Sequence, residues 1–168
     1  MHTTRSNRVL PTAAVTLAIV ALSAGPALAD GSSGHSLLRA QFVGSMPAPA
    51  SPTIAGITPG TRPWVNRPSK VRVREDGRIT VTIRGLVIPP PLGTGTNPVA
   101  SVVATLVCDN TVMASTKPFA LSAAGNGSTR DVISVPRHCD DPAVLIQPAG
   151  NRAAYIASAF GEEDHDDD

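Results

Sequence analysis

The sequence predicts an all-β chain folded as a single antiparallel β-sandwich of about eight short strands. Three observations predict it. Apolar residues recur at period two, and no stretch sustains a helical period. Val, Ile and Thr are plentiful through the body of the chain. The 16 prolines and 14 glycines punctuate these runs every ten residues or so. Short strands with frequent turn signals fit an immunoglobulin-like or related Greek-key sandwich.

The first element is an export signal at Met1 to Ala29. Arg5 and Arg8 supply a positive n-region, Val9 to Ala24 is almost wholly apolar, and Ala27-Leu28-Ala29 places small residues where a signal peptidase closes on the chain. The apolar run is shorter than a membrane span of about 20 residues, and no second run of that length follows. The expectation is a released, extracellular product that starts at Asp30 and has no transmembrane anchor. The two arginines are not adjacent and no cysteine stands at the cut, so neither the twin-arginine route nor lipid attachment is signalled.

The remaining residues divide into a flexible N-terminus at 30–35, a sandwich domain at 36–161 and an acidic disordered tail at 162–168. Loss of Arg5 and Arg8 leaves 12 basic residues against 13 acidic ones. Six of the acids stand in the last seven positions, so the body is mildly basic. A body of this length suits one domain with a core of its own. Its two cysteines, Cys108 and Cys139, are expected to form a disulfide in an oxidising compartment.

Strands are expected at Ser36–Gly44, Lys70–Arg74, Arg78–Ile88, Pro98–Cys108, Val112–Lys117, Thr129–Val135, Ala143–Gln147 and Ala153–Phe160. Parity sets one hairpin register. Val71, Val73, Ile79, Val81 and Ile83 are all odd-numbered, and residues directly opposite across an antiparallel pair share a face. A two-residue Asp76-Gly77 loop would set odd against even and bury arginines. A three-residue loop, Glu75-Asp76-Gly77, pairs Val73 with Ile79 and Val71 with Val81, and it requires a left-handed Gly77.

Ala100, Val102, Ala104, Leu106 and Cys108 form the better core face of the next strand, because the alternate set holds Ser101 and Thr105. An odd-length turn at Asp109-Asn110-Thr111 would carry Val112 and Ala114 on the same inward face. Asp131, Ile133 and Val135 alternate further on and lead to Cys139, so the disulfide is expected between neighbouring strands or across the sheets. Six prolines between Ser45 and Ser69 exclude a long central strand there. Pro89-Pro90-Pro91 through Asn97 reads as a stiff loop.

The chain carries little that signals chemistry. It has no Gly-x-Ser-x-Gly elbow, and His35, His138 and His165 show no spacing that suggests a triad. Gly93-Thr94-Gly95 and Gly125-Asn126-Gly127 lack the lysine of a phosphate loop. His138, Asp140 and Asp141 flank Cys139, but their spacing matches no calcium loop, so neither a metal nor a cofactor is expected. Asn126-Gly127-Ser128 fits the glycan acceptor pattern and otherwise reads as a turn.

Trp64, the single tryptophan, lies in the proline-rich stretch with Arg62, Arg67 and Lys70 around it. An exposed indole flanked by cations could stack on a sugar and pair with an anionic polymer; the alternative is a ring folded over the end of the sandwich. Arg72, Arg74, Arg78 and Arg84 form a second basic feature, on the outward side of the first hairpin, where arginine also protects sheet edges. Few aromatics and a negative tail argue against nucleic acid as a partner.

Phe42-Val43-Gly44, Asp76-Gly77-Arg78-Ile79, Gly85-Leu86-Val87-Ile88-Pro89, Asn97-Pro98-Val99, Ala143-Val144-Leu145-Ile146 and Tyr155-Ile156-Ala157 stand along Ser36 to Phe160. That stretch resembles small exported proteins of Gram-positive, actinobacterial type that carry no assigned function. The resemblance implies export and a β domain, and no activity. Three functions follow as expectations. The first is a secreted, non-catalytic module with a structural or protein-interaction role. The second is a binder of carbohydrate or anionic cell-wall polymer through Trp64, Arg62, Arg67 and Lys70. The third is an enzyme of unrecognised type.

Overall fold

The computed structural model describes residues 35–161; the predicted leader and the tail from Glu162 lie outside them. The described residues contain strands and no helix. In chain order these are β1 (Ser36–Gln41), β2 (Val43–Gly44), β3 (Thr58–Pro59), β4 (Lys70–Arg74), β5 (Arg78–Ile83), β6 (Ser101–Cys108), β7 (Thr111–Ser115), β8 (Phe119–Ala120), β9 (Gly127–Val132), β10 (Ala143–Pro148), β11 (Ala154–Tyr155) and β12 (Ala157–Phe160).

Two antiparallel sheets form the sandwich. One has the order β1-β4-β5-β9; the other runs β2-β12-β10-β6-β7, with β8 also on β6. β5 leads across to β6, and β9 leads across to β10. Because β5 lies beside β9 and β6 beside β10, the two crossovers interlock the sheets. Their inner faces meet in one apolar core that includes Leu38, Val73, Val81, Leu106, Val144 and Ile146. Each such side chain stabilises the fold by about 1.5–3 kcal/mol when taken out of water.

The predicted first strand divides at Phe42, which is buried and donates its N–H to the Ser69 carbonyl at 2.9 Å. β1 therefore pairs with β4 in one sheet and β2 with β12 in the other. The predicted strand to Ile88 stops at Ile83, since Gly85 takes φ 60° and its N–H is accepted by the Asn126 side chain at 3.0 Å. The last predicted strand divides at Ile156: β11 pairs in parallel with β3, and β12 joins the larger sheet.

The first hairpin has the register that parity requires. Val73 pairs with Ile79 and Val71 with Val81, and Gly77 has φ 83°. A Cβ at Gly77 would stand 2.3 Å from the Ile133 carbonyl oxygen, so space and backbone both select glycine.

The second hairpin departs from expectation. Cys108 pairs with Thr111 across a two-residue turn whose Asp109 and Asn110 have φ 49° and 56°. Consecutive left-handed residues match the twist of the flanking strands, and Asn and Asp tolerate that conformation well. Val112 consequently sits opposite Val107 and is exposed rather than inward, until a register shift brings Ala114 opposite Leu106.

The even-numbered face of β6 points into the main core as predicted, but the odd face is buried as well. Val107 joins Leu145, Ala143 and Tyr155 in a second apolar cluster, closed by Ile54 and Ile57 from the proline-rich segment. A buried polar chain lies on the same face, where the Thr105 hydroxyl bonds to Ser115 at 2.8 Å and to the Gln147 side chain. The Cys108–Cys139 disulfide is formed, with Cα atoms 5.0 Å apart. It ties the end of β6 to the crossover between β9 and β10.

Candidate functional site

Trp64 is 5% exposed and belongs to the main core. Its N–H donates to the Ser45 carbonyl at 2.8 Å, and a Cβ at Gly44 would stand 2.2 Å from its carbonyl oxygen, so β2 is glycine where this backbone crosses it. Trp64 borders a cavity of about 350 Å³, shared with Arg62, Thr58, Pro59 and Asn151. Arg62 donates a guanidinium N–H to the Leu92 carbonyl, in the loop that begins at the triple proline.

The other two residues expected beside Trp64 lie elsewhere. Arg67 is exposed; its N–H donates to the Arg84 carbonyl at 2.9 Å, and its stem faces Gly85. Lys70 lies on β4 and borders a separate cavity of about 290 Å³ with Gln41, Thr82 and Arg84. The fold thus keeps Arg62 with Trp64 and separates both from Lys70 and Arg67.

Cations instead converge on the outward face of the four-stranded sheet. Arg39 stands opposite Arg72, Arg72 opposite Thr80 and Thr80 opposite Arg130, so one row crosses all four strands. All four side chains are exposed. The neighbouring row is Gln41, Lys70, Thr82 and Ser128. Among the described residues the ion pairs of this face are confined to the hairpin turn, where Asp76 lies 3.3 Å from Arg78 and 4.0 Å from Arg74.

Asp131 is taken up away from that face. Its carboxylate accepts the Lys117 N–H at 2.8 Å and the Val132 N–H at 2.9 Å, and those two backbone bonds hold its pKa below the usual 3.8. Sequence reasoning placed Arg72, Arg74, Arg78 and Arg84 on one surface but missed Arg39 and Arg130. Both sit at polar positions of alternating runs, which was the available signal. Their alignment depends on pairings of strands far apart in the chain.

A third cavity, of about 640 Å³, lies between β1 and the disulfide crossover and is bordered by Ser36, Arg39, Asp140 and Asp141. His138 is not among its lining residues. Among the described residues no three His, Cys, Asp or Glu side chains gather where they could hold a metal ion. At the free edge of the larger sheet, β7 exposes Val112 and Met113, at 47% and 39%. Compared with known proteins, the chain matches no family model, no curated protein and no solved structure.

Proposed function

We propose that the protein is an exported, non-catalytic β-sandwich that acts as a structural or protein-interaction module outside the cell. The observation that carries this reading is the edge strand β7. It ends the larger sheet, and it carries Val112 and Met113 exposed side by side. Natural sheets blunt such edges with lysine, proline, charge or a bulge; β7 has a register shift after Val112 but no charged residue or proline between Thr111 and Ser115, and such an apolar edge is a template for strand addition by a partner. The burial of Trp64 adds support, because the strongest aromatic candidate for a ligand platform is spent on the core. The leader motif and the disulfide both favour an oxidising, extracellular destination.

The test is a photo-crosslinker at the exposed Thr111 in secreting cells, with the mass of the released protein read in parallel. The expected result is a chain that begins at Asp30 and cross-links to another extracellular protein. That adduct should disappear when Val112→Lys and Met113→Lys charge the edge. An adduct that survives both lysines, or no adduct at all, refutes β7 as the interaction edge.

A further inference from the structure

We propose that the outward face of the four-stranded sheet binds a linear polyanion, a polymer whose phosphate, sulfate or carboxylate groups repeat at short intervals. The contacts are the row Arg39, Arg72 and Arg130 and the cavity bordered by Lys70 and Arg84. This goes beyond the protein-interaction reading and is independent of it, since β7 belongs to the other sheet.

Register is the first argument. Neighbouring strands lie about 4.8 Å apart, so the backbone positions of the three arginines span about 14 Å across the sheet. Like charges directly opposite each other across a strand pair are destabilising, yet Arg39 faces Arg72 with no acidic side chain in the row. Protection of sheet edges accounts for arginine on β1 and β9, the two edge strands. It does not account for Arg72, because β4 is an interior strand.

The cavity is the second argument. Lys70 is two residues from Arg72 on the same face of β4, a separation of about 6.8 Å. There Lys70 and Arg84 bring positive charge to a recess of about 290 Å³ that also offers the Gln41 amide and the Thr82 hydroxyl. The wall is pre-set, because the Ser69 hydroxyl accepts the Arg84 N–H at 2.9 Å and donates to the Arg67 carbonyl at 2.8 Å. Anionic groups along the arginine row would run across the strands, and one further group would reach the recess a single step along β4, from Arg72 to Lys70. Guanidinium forks suit such oxyanions, which they pair in a bidentate manner.

The face also shows what it does not recognise. No aromatic side chain stands on β1, β4, β5 or β9, so unstacked bases have no platform and single-stranded nucleic acid is disfavoured.

The experiment is fluorescence anisotropy of labelled inorganic polyphosphate, heparin and polyglutamate against the purified protein, at about 20 mM and about 150 mM salt. The protein should bind at least one of the three, and their ranking identifies the anionic group. Arg39→Gln, Arg72→Gln and Arg130→Gln together should weaken binding about tenfold and lower the salt slope by about two to three. Lys70→Gln with Arg84→Gln should weaken it about fivefold. Lys117→Gln, Arg137→Gln and Arg152→Gln together remove the same charge from exposed sites off the face, and should change binding less than twofold.

All of these side chains are exposed, so circular dichroism should show each variant folded. Equal losses in the two triple variants would mean attraction to net charge alone and would overturn the site. Failure to bind any of the three polymers, or tighter binding of single-stranded DNA than of all three, would overturn it as well.

Discussion

Tyr155 shows how much one residue can tie together. Its ring is fully buried in the second apolar cluster, beside Ile54 and Ile57. Its hydroxyl donates to the Pro52 carbonyl at 2.6 Å, while its own carbonyl accepts the Gly60 N–H at 2.8 Å. The proline-rich segment is thereby held down at Pro52 and at Gly60, on either side of Ile54 and Ile57. Tyr155→Phe should lower unfolding stability by about 1 kcal/mol in denaturant titration, because a water molecule can only partly replace the donor. Burial raises the phenol above its usual 10.0. The neutral form is therefore favoured by folding: this contribution is complete below about pH 10 and is lost as pH rises further. The phenylalanine variant should lack that alkaline decline. Sequence pattern singled out Trp64 for its uniqueness, yet could not assign Tyr155 a role, since its partner Pro52 lies 103 residues away.

The first hairpin shows what parity can and cannot decide for an element. Five odd-numbered apolar residues on β4 and β5 admit only an odd-length turn, and Gly77 takes the left-handed conformation that follows. In the second hairpin the same reasoning failed, because Val112 is apolar and reads as core while the two-residue turn sets it opposite Val107 and leaves it in solvent; the register shift beyond it restores only Ala114. Alternation reports which residues share a face only while the ladder is regular.

Two tests belong to the smaller sheet. Arg72→Thr relieves the repulsion with Arg39 and should raise stability by about 0.2–1 kcal/mol at low ionic strength. The gain should shrink as salt screens the pair, and a thermal melt series across salt concentrations would read it; a net loss would show that these arginines are stabilising where they stand. Asp131, whose pKa is lowered, should stabilise the link between β9 and the segment that joins β7 to β8 above pH 3.8, with that support lost as pH falls below it. Asp131→Asn should flatten this part of the acid titration of stability.

For the molecule as a whole, the disulfide closes the connection that carries the chain from β6 around to β10. Cys108 and Cys139 are 31 residues apart, and cross-linking a loop of that size stabilises by up to about 3.7 kcal/mol through the unfolded chain. Cys108→Ala with Cys139→Ala should lower the unfolding free energy read by denaturant titration by up to that amount and keep the β-type circular dichroism, since Cys108 and Cys139 are a small part of a main core built mostly from aliphatic side chains of both sheets. Loss of the fold would show that the crossover depends on the bridge outright.

The sequence by itself determined the all-β class, most strand positions, the first hairpin register and the cysteine pair. These follow from local alternation, turn chemistry and a count of two cysteines, all of which are written in neighbouring residues. Only the tertiary structure decided that β6 is buried on both faces, that Trp64 is core, and that Arg39, Arg72 and Arg130 share one row. Each depends on which distant segments meet. Cross-strand register and the covering of a second sheet face are set by packing between residues far apart in the chain, and no local period encodes that choice.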